Sequence, residues 1–325
     1  MLKRELDDET SAGPNPAFLA DVIEGFAQRP RAIPARWFYD HRGSELFEEI
    51  TALPEYYPTR VETALLRAIG GEIAAYTGHG RAVIEFGSGS STKTPLLLEA
   101  VAASAYVPID ISGEFLRESA HALSLRFPAL PIHPLATDFL KPIALPAEVR
   151  DLPKLGFFPG STIGNMIPFA STDLLRTMRR TLGEGAMLVI GMDRLKDQAT
   201  LERAYDDAAG VTAAFNLNLL ARVNRELDGS IPLDAFRHHA IWNADRARIE
   251  MHLEATRDIA FTIAGRPFEI ARGETIHTEN SHKYGPRDAR ILLRSGGWTP
   301  LAEWTDPDDM FAIYLAEAQA QRRAP

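Results

Sequence analysis

Short apolar runs separated by helix-like stretches set the rhythm of the chain from Arg81 to Asp193. The runs are AVIEFGSGS, AYVPIDIS, PIHPLATDF, LPKLGFFPGST and GAMLVIGMD. Each is rich in Val, Ile or Phe and is bounded by Gly, Pro or Asp, which predicts strands. The stretches between them, such as TKTPLLLEAVAAS and FLRESAHALSLRF, carry helical periodicity. Strand and helix in alternation predict a parallel, doubly wound sheet. After Asp193 the rhythm stops. A long helical pattern, LERAYDDAAGVTAAFNLNLLARVNREL, is followed by a meander of strands beginning at FRHHAIWNADRARIEMHLEATR. The first rhythm then returns, with RDARILLRSGG as a helix closed by glycine and PLAEWTD and FAIYLAEA as strands joined by DPDD. The N-terminal part offers one amphipathic helix, PAFLADVIEGFAQ, and an aromatic-rich loop, ARWFYDHRGSELFEEITALPEYYPTR, expected to pack on the inserted segment.

The pattern divides the chain into a tail at residues 1–14, expected to be flexible, and two interleaved units. Residues 60–195 with 286–325 form the doubly wound unit, and 15–59 with 196–285 the inserted α+β unit. A length of 325 residues is in keeping with two cores. No internal repeat, low-complexity tract or linker interrupts them.

Composition narrows the function. Hydrophobic residues are 45% and charged residues 24%, an ordinary globular mixture. A net charge of -9 repels phosphate backbones and anionic lipid, so nucleic-acid and membrane partners are disfavoured. With no cysteine there are no disulfides and no thiolate chemistry, in keeping with a reducing compartment. The N-terminus lacks the apolar core of a signal peptide, and no apolar run approaches the roughly 20 residues that cross a bilayer. The expectation is a cytoplasmic protein with no obligate protein partner.

The turn after the first strand, Glu85 to Ser91, reads EFGSGSS and leads into a helix, a place where exposed amides meet a ligand. A dinucleotide fingerprint and a phosphate loop both want glycine at position 92, where Thr92 stands. S-adenosylmethionine needs only the tight turn, so Gly87, Ser88, Gly89 and Lys93 are candidate contacts. Asp110 ends the second strand, where a carboxylate can accept ribose hydroxyls. Asp138 and Phe139 end the third, an acid and a ring suited to adenine. The closing strand hairpin is the one class I methyltransferases use. The fold expected is therefore α/β, a doubly wound seven-stranded sheet with an inserted α+β unit.

Four strings are more particular: WFYD at Trp37 to Asp40, LPEYYPTR at Leu53 to Arg60, GSTIGN at Gly160 to Asn165, and RAYDDAAGVTAAFN at Arg203 to Asn216. Together they resemble the histidine-specific Nα-methyltransferases of ergothioneine biosynthesis, over a stretch from about residue 30 to the C-terminus. The resemblance implies a class I methyltransferase, its Rossmann-like seven-stranded sheet interrupted by an α+β substrate domain, and three methyl transfers to free L-histidine, with hercynine as product and S-adenosylhomocysteine as by-product. It also implies that Asn165 holds the amino-acid head, that Tyr205 binds the carboxylate, that Tyr39 lies near the cofactor and that Met251 lines the pocket. Tyr39 and Asn165 are thereby the candidate catalytic residues. Tyr56, with Tyr39, brings phenols toward amine and imidazole, and Tyr57 reads as packing. Glu279 and Ser281 stand two apart, so on a strand they share a face. A carboxylate and a hydroxyl there match the two imidazole nitrogens, and an indole would leave one of them unsatisfied. Asn280 and His282 depart from the family pattern, which leaves open another aromatic amino acid or amine as acceptor. A cofactor-binding protein without turnover is the remaining alternative. His277, His282, His238 and His239 show no metal-site spacing, so no metal is expected.

Overall fold

A computed structural model describes residues 15–89 and 92–320. The expected tail at 1–14 lies outside the described residues. The elements are α1 (Pro16–Ala27), β1 (Arg31–Ala32), α2 (His41–Thr51), α3 (Tyr57–Thr77), β2 (Ala82–Phe86), α4 (Thr94–Ala100), β3 (Ala105–Asp110), α5 (Gly113–Arg126), β4 (Leu135–Ala136), α6 (Ala147–Arg150), β5 (Lys154–Phe158), α7 (Pro168–Leu182) and β6 (Met187–Asp193). After these come α8 (Gln198–Tyr205), α9 (Val211–Glu226), β7 (Phe236–Asn243), β8 (Arg248–Ala255), β9 (Ile259–Ile263), β10 (Arg266–Ile270), β11 (Thr275–His282), α10 (Pro286–Ser295), β12 (Trp298–Thr305) and β13 (Phe311–Ala318).

Seven strands form one sheet in the order β12-β13-β6-β5-β2-β3-β4. β2 to β6 run parallel, and β13 and β12 return antiparallel. β2 is buried at every position and β6 at all but its first, as strands covered on both faces must be. One apolar cluster lies on the α7 and α10 side, the other beneath α3 and α4. The third parallel strand is the weakest part. Prolines at 131 and 134 interrupt its ladder, leaving Leu135–Ala136 and an isolated bridge at Ile132.

The second sheet is four-stranded, in the order β1-β11-β8-β7, with a separate β9-β10 hairpin. Its cluster gathers Phe18, Val22 and Phe26 of α1 with Phe215, Leu219 and Val223 of α9 and Met251 and Leu253 of β8. The N-terminal segment thus packs on the inserted one, as its amphipathic pattern predicts. The aromatic stretch expected as a loop instead contains α2, whose first turn is capped by Asp40 accepting from the Gly43 amide at 2.7 Å. The long helical pattern is broken between Tyr205 and Val211. Asp207 accepts from the amides of Val211 and Thr212, so a new helix starts there and Tyr205 becomes the last residue of α8.

The excursion leaves the large sheet at Arg194 and returns at Tyr284. Those two residues bridge in parallel, and the Tyr284 amide donates to the Asp193 carbonyl at 2.8 Å.

Candidate active site

Parallel strands end in a row along one edge of the sheet, and ligands of doubly wound folds lie beyond those carboxyl ends. A cleft of about 620 Å³ opens there, lined by Gly87, Gly89, Asp110, Asp138, Phe139 and Asn165 among others. Gly87 and Gly89 have φ of 72° and 47°, a conformation glycine adopts without a Cβ penalty. A Cβ on Gly87 would sit 3.4 Å from the Phe139 ring, so a bare backbone keeps that wall open. The Asp110 carboxylate accepts from the Gly89 amide and the Ser112 amide, each at 3.0 Å, which ties the turn to the end of β3. Burial raises the Asp110 pKa against these hydrogen bonds. Beneath the turn, Glu85 accepts from Thr94 and Tyr106, yet burial still pushes its carboxyl up to about 7.

Two expected contacts, Lys93 and Ser88, are not among the described residues that line the cleft. Lys93 is not among the residues lining the cleft, because its ammonium pairs with the buried carboxylate of Glu62. Glu62 also accepts from the Gly160 amide at 2.8 Å, so Lys93 props the turn after β5. Ser88 is likewise absent from the lining; it is buried, and its Oγ has no hydrogen-bond partner among the described residues.

That turn is unusual backbone. Gly160 and Ser161 are both left-handed, at φ 77° and 56°, and a short 3-10 helix, Thr162–Asn165, follows. Ser161 is held there by its Oγ, which accepts from the Asp193 amide at 2.9 Å. Asn165 closes the 3-10 helix and projects into the cleft. The turn rests on β11: a Cβ on Gly164 would approach the His282 carbonyl oxygen to 2.8 Å, and His282 Nδ1 hydrogen-bonds the Gly164 carbonyl at 2.9 Å. His282 therefore docks the turn, and it is not among the described residues that line the cleft.

A second, smaller chamber lies deeper, lined by Tyr56, Tyr205, Met251, Glu279 and Ser281 together with Phe215. Tyr39, Phe47, Thr162, Asn165 and Glu279 line both spaces and form the neck between them. Glu279 and Ser281 do share a face, and a bulge decides which one. The register of β11 on β8 shifts between His277 and Glu279, so Glu279 lies opposite Met251 and Ser281 opposite Ile249. Thr278 occupies the bulge, its hydroxyl donating to the Met251 carbonyl at 3.1 Å. Met251 and Ile249 belong to the inner cluster, so the bulge turns the carboxylate and hydroxyl inward.

Electrostatics follow from that burial. Glu279 is pushed up to about 8 by desolvation, with Lys283 opposing. Tyr39, Tyr56 and Tyr205 are held well above the ordinary phenol value, desolvation being the largest cause in each. They are therefore neutral phenols at physiological pH, able to donate and accept hydrogen bonds but unsuited as bases. Tyr39 packs edge-on against Phe47 and Phe215, and Tyr56 edge-on against Phe47 and Tyr205, so the three phenols share one aromatic cluster at the neck.

Sequence reasoning missed what lies behind Ser281. Ser281 Oγ and the Tyr205 hydroxyl are 2.6 Å apart, and Lys283 donates to both, at 2.8 and 3.0 Å. Lys283 also pairs with Asp193 at 2.7 Å, and Asp193 in turn binds Lys196 and the Tyr57 hydroxyl. Tyr57 is thus part of a polar cluster and not plain packing. Burial alone would raise the Asp193 carboxyl, but the two lysines outweigh it and hold it below its ordinary value. A lysine two residues beyond Ser281 carries no sequence signal of burial; only the fold brings it to Asp193. The fold also gathers Glu250, His252 and His277, whose ligand atoms lie within 4.8 Å of one another, from two strands that no sequence spacing connects. Glu250 is already engaged by Arg248 and Asn243.

A glycine turn, two strand-end carboxylates and a reversed last strand define a class I, S-adenosylmethionine-dependent methyltransferase. The particular branch is equally plain: the model of the family described as histidine-specific methyltransferase, SAM-dependent, matches residues 18–318, and the chain belongs to that family. A histidine N-alpha-methyltransferase of Mycolicibacterium smegmatis is 42% identical over 92% of this chain and 94% of its own. One of Mycobacterium tuberculosis is 38% identical over the same shares. Ergothioneine biosynthesis protein 1 of Neurospora crassa is 30% identical over 89% of this chain, which corresponds to 34% of that longer protein. Among the described residues, no helix is long and apolar enough to cross a membrane.

Proposed function

We propose that this protein transfers three methyl groups from S-adenosylmethionine to the α-amine of L-histidine, giving hercynine, a step of ergothioneine biosynthesis. The observation that carries the reading is the neck. A cleft with the features of a nucleoside site and a chamber holding Glu279 and Ser281 meet at Asn165, Tyr39 and Glu279.

S-adenosylmethionine supplies a methyl group on a sulfonium; each transfer forms an N–C bond, breaks the C–S bond and releases one proton from nitrogen. The chain's part is placement. In this reading Asn165 and Tyr39 orient the amine at the neck, and Tyr205 and Tyr56 hold the amino-acid part. Glu279 accepts from the ring N–H, and Ser281 serves the other nitrogen. Asp110 takes the ribose hydroxyls, Asp138 and Phe139 the adenine, and Met251 fills the chamber wall. Orientation and water exclusion suffice for a reaction whose nucleophile is the substrate's own lone pair. The same reading assigns 60–195 with 286–325 to the cofactor and 15–59 with 196–285 to the acceptor.

The test is mass spectrometry of the purified protein with S-adenosylmethionine and an equimolar mixture of the twenty amino acids. Gain of three methyl masses on histidine alone supports the reading. Methylation of another amino acid moves the specificity elsewhere, and no product points to a binding protein without turnover.

A further inference from the structure

Lys283 follows β11 directly, and its side chain is 0% exposed. An ammonium has three N–H donors, and all three have acceptors here: Asp193 Oδ2 at 2.7 Å, Ser281 Oγ at 2.8 Å and the Tyr205 hydroxyl at 3.0 Å. Asp193 balances the charge and is itself fixed by Lys196 and by Tyr57, whose hydroxyl donates at 2.6 Å. The arrangement leaves the two hydroxyls little choice. Each already accepts from Lys283, and the 2.6 Å bond between them consumes one of their two hydrogens. In the histidine reading Tyr205 donates to Ser281, so the one remaining O–H is that of Ser281, and both groups line the chamber.

We propose that Lys283 is a positioning residue for acceptor recognition: it fixes the Tyr205 and Ser281 hydroxyls so that they present a hydrogen-bond donor to the bound amino acid. Beside them, Glu279 presents an acceptor when ionised. The acceptor molecule must then offer a donor and an acceptor atom side by side, which a neutral imidazole does through its two nitrogens and an indole does not. Lys283 thus selects the ligand without touching it, and its attachment to Asp193 at the end of β6 sets that choice in register with the methyl-donor sheet. This inference rests on the histidine reading above.

The experiment compares wild type with Lys283→Met and with the double variant Lys283→Met, Asp193→Asn, which removes the buried charge along with its partner. For each, initial rates give KM and kcat for histidine, calorimetry gives the S-adenosylhomocysteine affinity, and thermal melting reports folding. Losing hydrogen bonds around a charged group corresponds to a loss of roughly 10- to 100-fold in affinity. The expected result is a rise of that size in the histidine KM of both variants, with cofactor affinity within about twofold and kcat changed far less than KM. A double variant that regains both the melting temperature and the wild-type KM would show that Lys283 only neutralises Asp193, and would overturn the proposal. So would failure of both variants to fold, which would make Lys283 a stability element. Should the wild type methylate an amino acid other than histidine, the histidine reading falls by itself, and the same KM comparison on that amino acid decides the role of Lys283.

Discussion

Residue identity decides the two ends of this site separately. Glu279→Ala is expected to raise the histidine KM about tenfold or more while leaving S-adenosylhomocysteine affinity nearly intact, and Asp110→Ala to do the reverse. Calorimetry with each ligand checks both, and an equal loss of both affinities in either variant would contradict its assignment. Glu279 also carries a cost in the empty protein. Its carboxyl is raised from 4.5 to about 8 by burial. In the unfolded chain it ionises near its ordinary value, so folding is penalised progressively as pH climbs from about 4.5 to 8, by on the order of 3–5 kcal/mol in full. Glu279→Gln lacks that ionisation. Its melting temperature should rise relative to wild type between pH 5 and pH 8.5, and a constant difference across that range would argue against a buried carboxyl. At this scale the sequence was informative where an acid stands at or just past a strand end, as Asp110 and Asp138 do, both of which line the cleft. It was silent on Lys283 and Asp193, which lie far apart in the chain and meet only where the chain that follows β11 returns to the end of β6. Lys93 shows the converse: it follows the glycine turn in sequence, and only the fold brings Glu62, from a distant helix, to pair with its ammonium.

Elements were read best where periodicity was long. β2, β3, β5 and β6, the closing hairpin and α10 appear where their patterns place them. α2 escaped because its apolar positions, Leu46, Phe47 and Ile50, are few and set among glycine and charge, and its start is marked only by Asp40. The inward turn of the Glu279 face was illegible in principle, since alternation shows that two residues share a face but not which one, and a single bulge at Thr278 settles it. The docking of the Thr162–Asn165 turn on β11 yields an element-level prediction. At Gly164 the nearest neighbours of an added Cβ are His282 backbone atoms at 2.8 and 3.1 Å, which cannot swing aside like a flexible side chain. Gly164→Ala should push the turn off β11, displace Asn165 and lower kcat for histidine methylation by about 10- to 100-fold, because such reactions tolerate misplacement poorly. Rate assays alongside melting curves check this, and wild-type activity would mean that Asn165 needs no such support.

The whole molecule places its two ligand spaces against a common wall. Tyr39, Phe47, Thr162, Asn165 and Glu279 face both, so ordering them for one ligand prepares them for the other. Histidine should therefore bind about 5- to 50-fold more tightly in the presence of S-adenosylhomocysteine, with the reciprocal gain of equal size. Titrations of each ligand with and without the other measure it, and independent binding would show that the neck is rigid beforehand. Interleaving of the two units was visible in the sequence as a change of rhythm after Asp193. The contact of Arg194 with Tyr284, where the chain leaves the large sheet and comes back to it, was not. Because the two ends of that excursion are already joined by a hydrogen bond, the parent sheet hardly registers what is carried between them. Evolution could exchange the segment as a cassette, giving the same methyl-donating machinery a new appetite. Such a trade would need to bring α1 and β1 along, since they are built into the cassette's own core, and recombination between relatives should favour crossovers that keep those distant pieces together.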